Sequence, residues 1–222
     1  PLVHFLAFSY ITPQPYGQVL VLSPWNYPFQ LSFMPLVGAI AAGNCVAMKV
    51  SRQVPAITKV MEKILDEFPK ELIVMINGDH SVSEDLLSYK FDYIFFTGSC
   101  KTGKYVMQKA AENMIPLSLE LGGKNPCVIA SDAKLNYAAK RIAWGKFVNA
   151  GQTCICTDYV LIDRVVKDRF LELITNELQR FYGSDPLKSS DFARIINRDN
   201  VKRLSRLMQA GEIVTGGITD EE

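Results

Sequence analysis

Short apolar runs alternate with longer amphipathic stretches along the first part of the chain. The runs are rich in β-branched and aromatic residues, which is typical of buried strands. They cover residues 17–23, 45–50, 72–76, 92–96, 116–121 and 126–130. Between them, residues 54–68 and 101–112 place apolar side chains at helical spacing. This alternation predicts an α/β fold with a parallel sheet that carries helices on both faces.

A second alternating region follows the first. It predicts a strand at residues 159–163 and helices at residues 136–147, 165–182 and 200–209. The whole chain of 222 residues is long enough for one sizeable core and part of another. Ligands of parallel sheets bind at the carboxyl ends of the strands, so the loops after the strands are where chemistry is expected.

Composition narrows the range of partners. Lys and Arg number 24 against 23 Asp and Glu, so a net charge of +1 predicts a small-molecule partner rather than nucleic acid or a membrane surface. The longest apolar stretch, residues 31–50, is interrupted by Pro35, Gly38 and Lys49, and no transmembrane segment is predicted. Five cysteines, odd in number and mostly within apolar runs, predict a reduced, cytoplasmic setting without a disulfide framework.

Three segments carry candidate catalytic groups, each with a simpler structural alternative. In PWNYP, after the first strand, the Asn26 amide can donate to a developing oxyanion or merely support the turn. Glu120, at a strand end beside a Gly-Gly turn, can be a partly desolvated general base or a solvated carboxylate. Cys154, in GQTCIC, can be a nucleophile activated by a neighbouring helix N-terminus, or a buried inert thiol. Zinc is not predicted, because Cys-x-Cys has no second cluster and His4 and His80 are the only histidines.

The segment FTGSCKTGKY follows the fourth strand and opens a helix, where backbone N–H groups can cradle a phosphate. Its GSCKTGK part also fits the P-loop of a nucleotide hydrolase, except that Tyr105 replaces the hydroxyl that would bind magnesium. No later strand ends in the Asp that would hold the metal. The P-loop hydrolase stays as an alternative function, although it gives Asn26, Glu120 and Cys154 no role.

Taken in order, PWNYP, Lys49 at a strand end, FTGS with a later Gly103, ELGGK and GQTC resemble the aldehyde dehydrogenases over essentially the whole chain. The phrases YGQVLVLSPWNYPFQLSF and ARIINRDNVKRL are most similar to the class 3 branch, which includes fatty and aromatic aldehyde enzymes. The resemblance implies a Rossmann-like nucleotide-binding domain over residues 16–121, part of a catalytic domain over residues 122–222, and the end of an oligomerisation arm at residues 1–15. It also implies a homodimer or higher homo-oligomer, and a chain that lacks both ends of the family's sequence.

The resemblance implies a role for each matching residue. Cys154 would attack the aldehyde, and Asn26 with the Cys154 backbone N–H would stabilise the tetrahedral adduct. After hydride transfer to NAD or NADP, Glu120 would activate the water that hydrolyses the thioester to a free acid. The residues implied to bind the cofactor are Trp25, Lys49, Arg52, Gly98, Ser99, Gly103 and Leu121.

The sequence departs from the family pattern at three places. Many members carry a Glu that bonds the 2′-hydroxyl where this chain has Arg52, and a guanidinium there predicts that NADP is accepted, unless the side chain points to solvent. Cys156 replaces a small or prolyl residue and is interpreted as an oxidation liability. The family's catalytic domain continues past the position of Glu222, which leaves an inactive segment or a non-catalytic remnant as a further alternative.

Overall fold

The computed structural model describes residue 8 and residues 10–220. The predicted arm at residues 1–15 therefore lies largely outside the described residues. The chain divides into two compact units, Pro1–Leu121 and Gly122–Glu222. Among the described residues, no helix combines the length and the apolar character needed to cross a membrane.

The first unit is built on a five-stranded sheet in the order β3-β2-β1-β4-β5. All four strand pairs are parallel, which confirms the predicted sheet. The order of strands reverses between β1 and β4, and ligands of open α/β sheets bind at such a reversal. The strands are β1 Gln18–Leu22, β2 Cys45–Lys49, β3 Ile73–Ile76, β4 Tyr93–Gly98 and β5 Leu117–Leu121.

Helices cover both faces of this sheet. Neighbouring residues of a strand point to opposite faces, so Leu20 and Val21 of β1 enter different hydrophobic clusters. Leu20 packs with Ile94 and Val106, whereas Val21 packs with Met48 and Met61. The helices are α1 Pro28–Ala41, α2 Pro55–Leu65, α3 His80–Ser88 and α4 Cys100–Glu112.

Two of these helices, α1 and α3, have no clear periodic signal in the sequence. Helix α1 contains Pro35 and Gly38 and is apolar on most sides, so it shows little amphipathic pattern. It begins at Pro28, where the fixed φ of proline suits the first helical position. Helix α3 has only nine residues and depends on its N-cap Asp79, which accepts a hydrogen bond from the Ser81 N–H.

The second unit contains a parallel pair of strands, β6 Asn125–Ile129 and β7 Thr157–Ile162. Their register is irregular between Asn125 and Pro126. The buried residues of its core are Ile129, Ala139, Ile142 and Phe170. The helices are α5 Leu135–Phe147, α6 Lys167–Tyr182 and α7 Arg198–Leu207, with 3₁₀ turns at Val148–Gly151, Arg164–Val166, Pro186–Lys188 and Met208–Ala210.

Candidate active site

A cavity of about 390 Å³ opens at the carboxyl edge of the sheet in the first unit. The loops after β1, β2 and β4 line it together with the beginning of α3. Its volume lies within the range of small-molecule and cofactor sites. Five of the residues predicted to bind the cofactor line this cavity: Trp25, Lys49, Arg52, Gly98 and Ser99.

Lys49, the last residue of β2, is the buried cation of the cavity, with 7% of its surface exposed. Burial lowers the pKa of Lys49, since the charged ammonium loses hydration. The Asp79 carboxylate raises this pKa and the Arg52 guanidinium lowers it. The charges of Asp79 and Arg52 therefore both act on Lys49, and the three side chains interact electrostatically within the cavity.

The start of α4 forms another polar side of the cavity, in addition to the charged side chains near the end of β2. Ser99 is the N-cap, and its Oγ accepts a hydrogen bond of 3.1 Å from the Thr102 N–H. Backbone N–H groups and the helix dipole at such an end favour an anion. Together with the cations at β2, this side of the cavity suits the phosphates and ribose of a dinucleotide.

Gly103 of α4 packs against Leu121, the last residue of β5. A Cβ on Gly103 would stand 2.6 Å from Leu121 Cδ2, so glycine allows the helix to approach the strand. Neither of these two described residues lines the cavity. In the structure they belong to the packing of α4 against β5, although both were predicted to contact the cofactor.

The same helix argues against the P-loop alternative. Helix α4 begins at Cys100, so the CKTGK residues form its first turns. A P-loop needs most of these residues as an open loop around the phosphates. The segment GSCKTGK therefore does not form a P-loop, and the alternative of a P-loop nucleotide hydrolase is not supported.

Asn26 and Glu120 also belong to the first unit. Asn26 is half-buried in the turn between β1 and α1, one residue before the N-cap Tyr27. Glu120 lies on β5 opposite Thr97, and its side chain is exposed. Glu120 is thus a solvated carboxylate in this structure, and the partial desolvation expected of a general base is not seen.

Cys154 lies half-buried in the turn that precedes β7, and its flanking backbone is held by distant residues. The Asn125 Nδ2 donates hydrogen bonds to the carbonyl oxygens of Cys154, at 2.8 Å, and Cys156, at 3.0 Å. A Cβ on Gly123 would stand 2.5 Å from the Cys154 carbonyl oxygen. The amide and the missing Cβ together fix the peptide unit that follows Cys154, and the amide also fixes the peptide unit that follows Cys156.

Gln152 ties the cysteine turn to a later segment of the second unit. Its Nε2 donates to the carbonyl oxygens of Asn149, at 3.0 Å, and Arg194, at 3.1 Å. Its Oε1 accepts a hydrogen bond of 2.9 Å from the Ile196 N–H. The ARII phrase noted in the sequence therefore supports the turn that contains Cys154.

Cys156 has a structural position in the same turn. It is 9% exposed, and its Sγ donates to the Gly151 carbonyl oxygen at 3.3 Å. The Lys146 ammonium lies 3.9 Å from this sulfur. The turn leads into strand β7 rather than into a helix. The element that directly follows the turn is thus a strand, and activation of Cys154 by a neighbouring helix N-terminus stays a prediction.

Three residues that support the cysteine turn were given no such role from the sequence. Gly123 and Gln152 lie within quoted motifs, and Asn125 directly follows ELGGK. The long-range hydrogen-bond partners of Asn125 and Gln152 are 29 to 44 residues away along the chain. The register irregularity at Asn125 is likewise a property of strand pairing. The Gly-Gly step in ELGGK was the available signal, because glycine often marks a close backbone approach.

The sheet, its switch-point cavity and the separate cysteine turn define an α/β protein with a Rossmann-like first unit and a thiol-bearing second unit. Comparison with protein families narrows this class to one family: the aldehyde dehydrogenase family model matches residues 6–220. The chain belongs to the aldehyde dehydrogenase family. It spans about half the length of the curated relatives that it matches.

The relatives place the chain near the class 3 branch, as the sequence predicted. Aldehyde dehydrogenase family 3 member B2 of Mus musculus is 43% identical over 218 residues, which cover 97% of this chain and 45% of that protein. A structure described as the substrate bound state of Staphylococcus aureus AldH has a TM-score of 0.91 and 44% identity, and the match covers 100% of this chain and 49% of that one. Mycobacterium tuberculosis aldehyde dehydrogenase complexed with NAD+ matches with a TM-score of 0.84 and 26% identity, over 93% and 45% of the two chains.

Proposed function

We propose that this protein oxidises an aldehyde to a carboxylic acid and uses NAD or NADP as the hydride acceptor. Family membership and the cavity at the switch point support the cofactor. The observation that supports the chemistry is the turn of Cys154, in which Asn125 holds the carbonyls of Cys154 and Cys156. A nucleophile fixed in this way can meet a bound carbonyl without a further loss of conformational freedom.

In the first half-reaction, the Cys154 thiolate attacks the carbonyl carbon and forms a thiohemiacetal oxyanion. The Asn26 amide and the Cys154 backbone N–H donate hydrogen bonds to that oxygen. A dinucleotide in the cavity of the first unit would accept the hydride that leaves the substrate carbon. Cys154 then carries the acyl group as a thioester.

In the second half-reaction, Glu120 takes a proton from a water molecule that attacks the thioester carbon. The C–S bond breaks, the Cys154 thiolate is restored, and the carboxylic acid leaves. Because Glu120 is exposed, a water molecule can reach it directly. Hydrolysis, and not transfer to a second thiol, is therefore the proposed end of the cycle.

The cofactor would be held by residues of the first unit. Lys49 and Arg52 would bind the ribose end, and Ser99 with the start of α4 would bind the phosphates. Arg52 is exposed at the lining of the cavity, and a guanidinium is the group best suited to a 2′-phosphate. We therefore expect NADP to be used as well as NAD.

Steady-state kinetics test the role of Arg52. In Arg52→Ala, KM for NADP should rise about tenfold, because a charge-assisted pair with phosphate is lost, while KM for NAD should change little. The wild-type protein is the reference, measured with both dinucleotides at one fixed aldehyde concentration. A strong wild-type preference for NAD would contradict the proposed role of Arg52.

Removal of the nucleophile tests the reaction itself. Cys154→Ala should lower kcat with a fatty or an aromatic aldehyde by at least about 10³-fold, since covalent catalysis is lost. Cys45→Ala, which removes an exposed thiol of the first unit, is the matched control and should keep full turnover. Turnover retained in Cys154→Ala, or cofactor binding without any turnover in the wild type, would overturn the proposal.

The remaining partner predictions stay proposals. A fatty or aromatic aldehyde is the expected substrate class, and a homodimer or higher homo-oligomer is the expected assembly. Sedimentation of the whole protein checks the assembly. Fractionation of the producing cell checks the cytoplasmic setting.

A further inference from the structure

The cavity of the first unit contains a single acid among the described residues that line it. That residue is Asp79, which shares the cavity with the cations Lys49 and Arg52. Asp79 lies after β3 and is far in sequence from the loop that contains Arg52. Asp79 and Arg52 line the same cavity because β2 and β3 are neighbours in the sheet.

The carboxylate of Asp79 is held in a fixed orientation. Its Oδ1 accepts hydrogen bonds from the Ser81 N–H, at 3.0 Å, and from the Ser81 hydroxyl, at 2.7 Å. These bonds, with the Ser81 side chain first, lower the pKa of Asp79, so the group is ionised at neutral pH. An ionised carboxylate can accept further hydrogen bonds beyond these two.

Asp79 and Arg52 have opposite effects on an anion in the same cavity. Arg52 attracts a phosphate dianion, whereas Asp79 repels it. A ribose hydroxyl has no charge and can donate to a carboxylate. The two side chains therefore favour different groups on the ribose of an adenine nucleotide.

We propose that Asp79 determines, against Arg52, whether this cavity prefers a ribose 2′-hydroxyl or a ribose 2′-phosphate. This inference rests on the proposed use of a nicotinamide dinucleotide. Asp79 supplies from the end of β3 the negative charge that is absent at position 52. Use of both cofactors then follows from the balance of the two charges.

The test is nucleotide binding to the whole protein, measured by calorimetry with 5′-AMP and 2′,5′-ADP as probes. Asp79→Asn removes the charge and keeps an equally good N-cap for α3. It should tighten 2′,5′-ADP about five- to tenfold, as expected for one carboxylate acting on a dianion across a hydrated cavity, and leave 5′-AMP unchanged or weaker. Arg52→Ala should weaken 2′,5′-ADP and spare 5′-AMP.

Asp85→Asn is the matched control, because Asp85 lies on the same helix and does not line the cavity. Equal shifts in the two Asn variants would indicate a net-charge effect and overturn the inference. So would an Asp79→Asn variant that binds both probes as the wild type does, or that tightens both equally. A wild type that binds neither probe would overturn the proposed cofactor and the inference with it, whereas discrimination without a contribution from Asp79 would overturn the inference alone.

Discussion

The two units hold their functional groups by different physical means. In the first unit, Lys49, Arg52 and Asp79 act through charge across an open cavity. In the second, Cys154 is fixed through its backbone, by the Asn125 amide and by the absence of a Cβ on Gly123. Coulomb energy changes slowly with distance, but steric contact and hydrogen bonds fail within a fraction of an ångström. Changes in the cavity should therefore alter preference, while changes in the cysteine turn should alter turnover.

The largest effect on turnover in this comparison of the two units is expected from Gly123→Ala. The new Cβ would meet the Cys154 carbonyl oxygen, a backbone atom that cannot rotate away. Displacing the nucleophile by about 1 Å should lower kcat about 100-fold, with an overpacking penalty of about 1–3 kcal/mol in the free energy of unfolding. Turnover and thermal unfolding of the whole protein measure the two effects.

Gly122→Ala is the control for this substitution, because a Cβ there would meet no atom within 4 Å. It should leave both kcat and the unfolding midpoint near those of the wild type. Equal losses in the two variants would mean that flexibility of the Gly-Gly step matters, and not the contact with Cys154.

A smaller effect is expected at Asn125. Asn125→Ala removes the hydrogen bonds to the carbonyls of Cys154 and Cys156. This loss should lower the free energy of unfolding by about 1–3 kcal/mol and slow alkylation of Cys154 by iodoacetamide. Asn125→Asp keeps the side-chain shape but turns an acceptor toward two acceptors, so it should be the worse of the two. Peptide mapping measures the alkylation rate of Cys154 and so reports on the turn independently of catalysis.

If Asn125→Asp were as good as the wild type, or better than Asn125→Ala, the hydrogen bonds would not be what fixes the turn. Alkylation of Cys45, which is exposed in the first unit, provides the internal reference for thiol reactivity. Its rate should be the same in all three proteins.

The smallest effect belongs to Gly103 in the first unit. Its added Cβ would meet only the end of the Leu121 side chain, which can rotate, so Gly103→Ala should destabilise the protein by about 1 kcal/mol or less. Gly38→Ala, in helix α1 with no neighbour within 4 Å, should instead stabilise it by about 0.5–1 kcal/mol. Chemical unfolding curves distinguish these signs, and two changes of the same sign would contradict the contact with Leu121.

Much of the fold follows from local patterns. The five strands of the first sheet and helices α2 and α4 to α7 have clear periodic signals, because each buries one apolar face or a continuous apolar run. Helix α1 lacks this signal, since its apolar residues surround it and Pro35 lies inside it. Helix α3 is too short for its period to be read with certainty.

Part of the candidate site could also be predicted from the sequence, and part could not. Five residues lie at strand ends or directly after them, and strand ends of a parallel sheet share one edge, so they line one cavity: Trp25, Lys49, Arg52, Gly98 and Ser99. Gly103 follows two of them in the same segment but packs against Leu121 of β5, because a helix turns its residues to different sides.

The amino-acid sequence by itself determined the alternation of strands and helices, the order of the motifs and the resemblance to aldehyde dehydrogenases, because these depend on neighbouring residues. Only the tertiary structure decided that Asp79 faces the cavity of Arg52 and that Asn125 holds the carbonyls of Cys154 and Cys156. Such contacts join residues about 30 positions apart, and strand order and register bring them together. No local pattern carries that information, because many chain paths satisfy the same apolar periodicity.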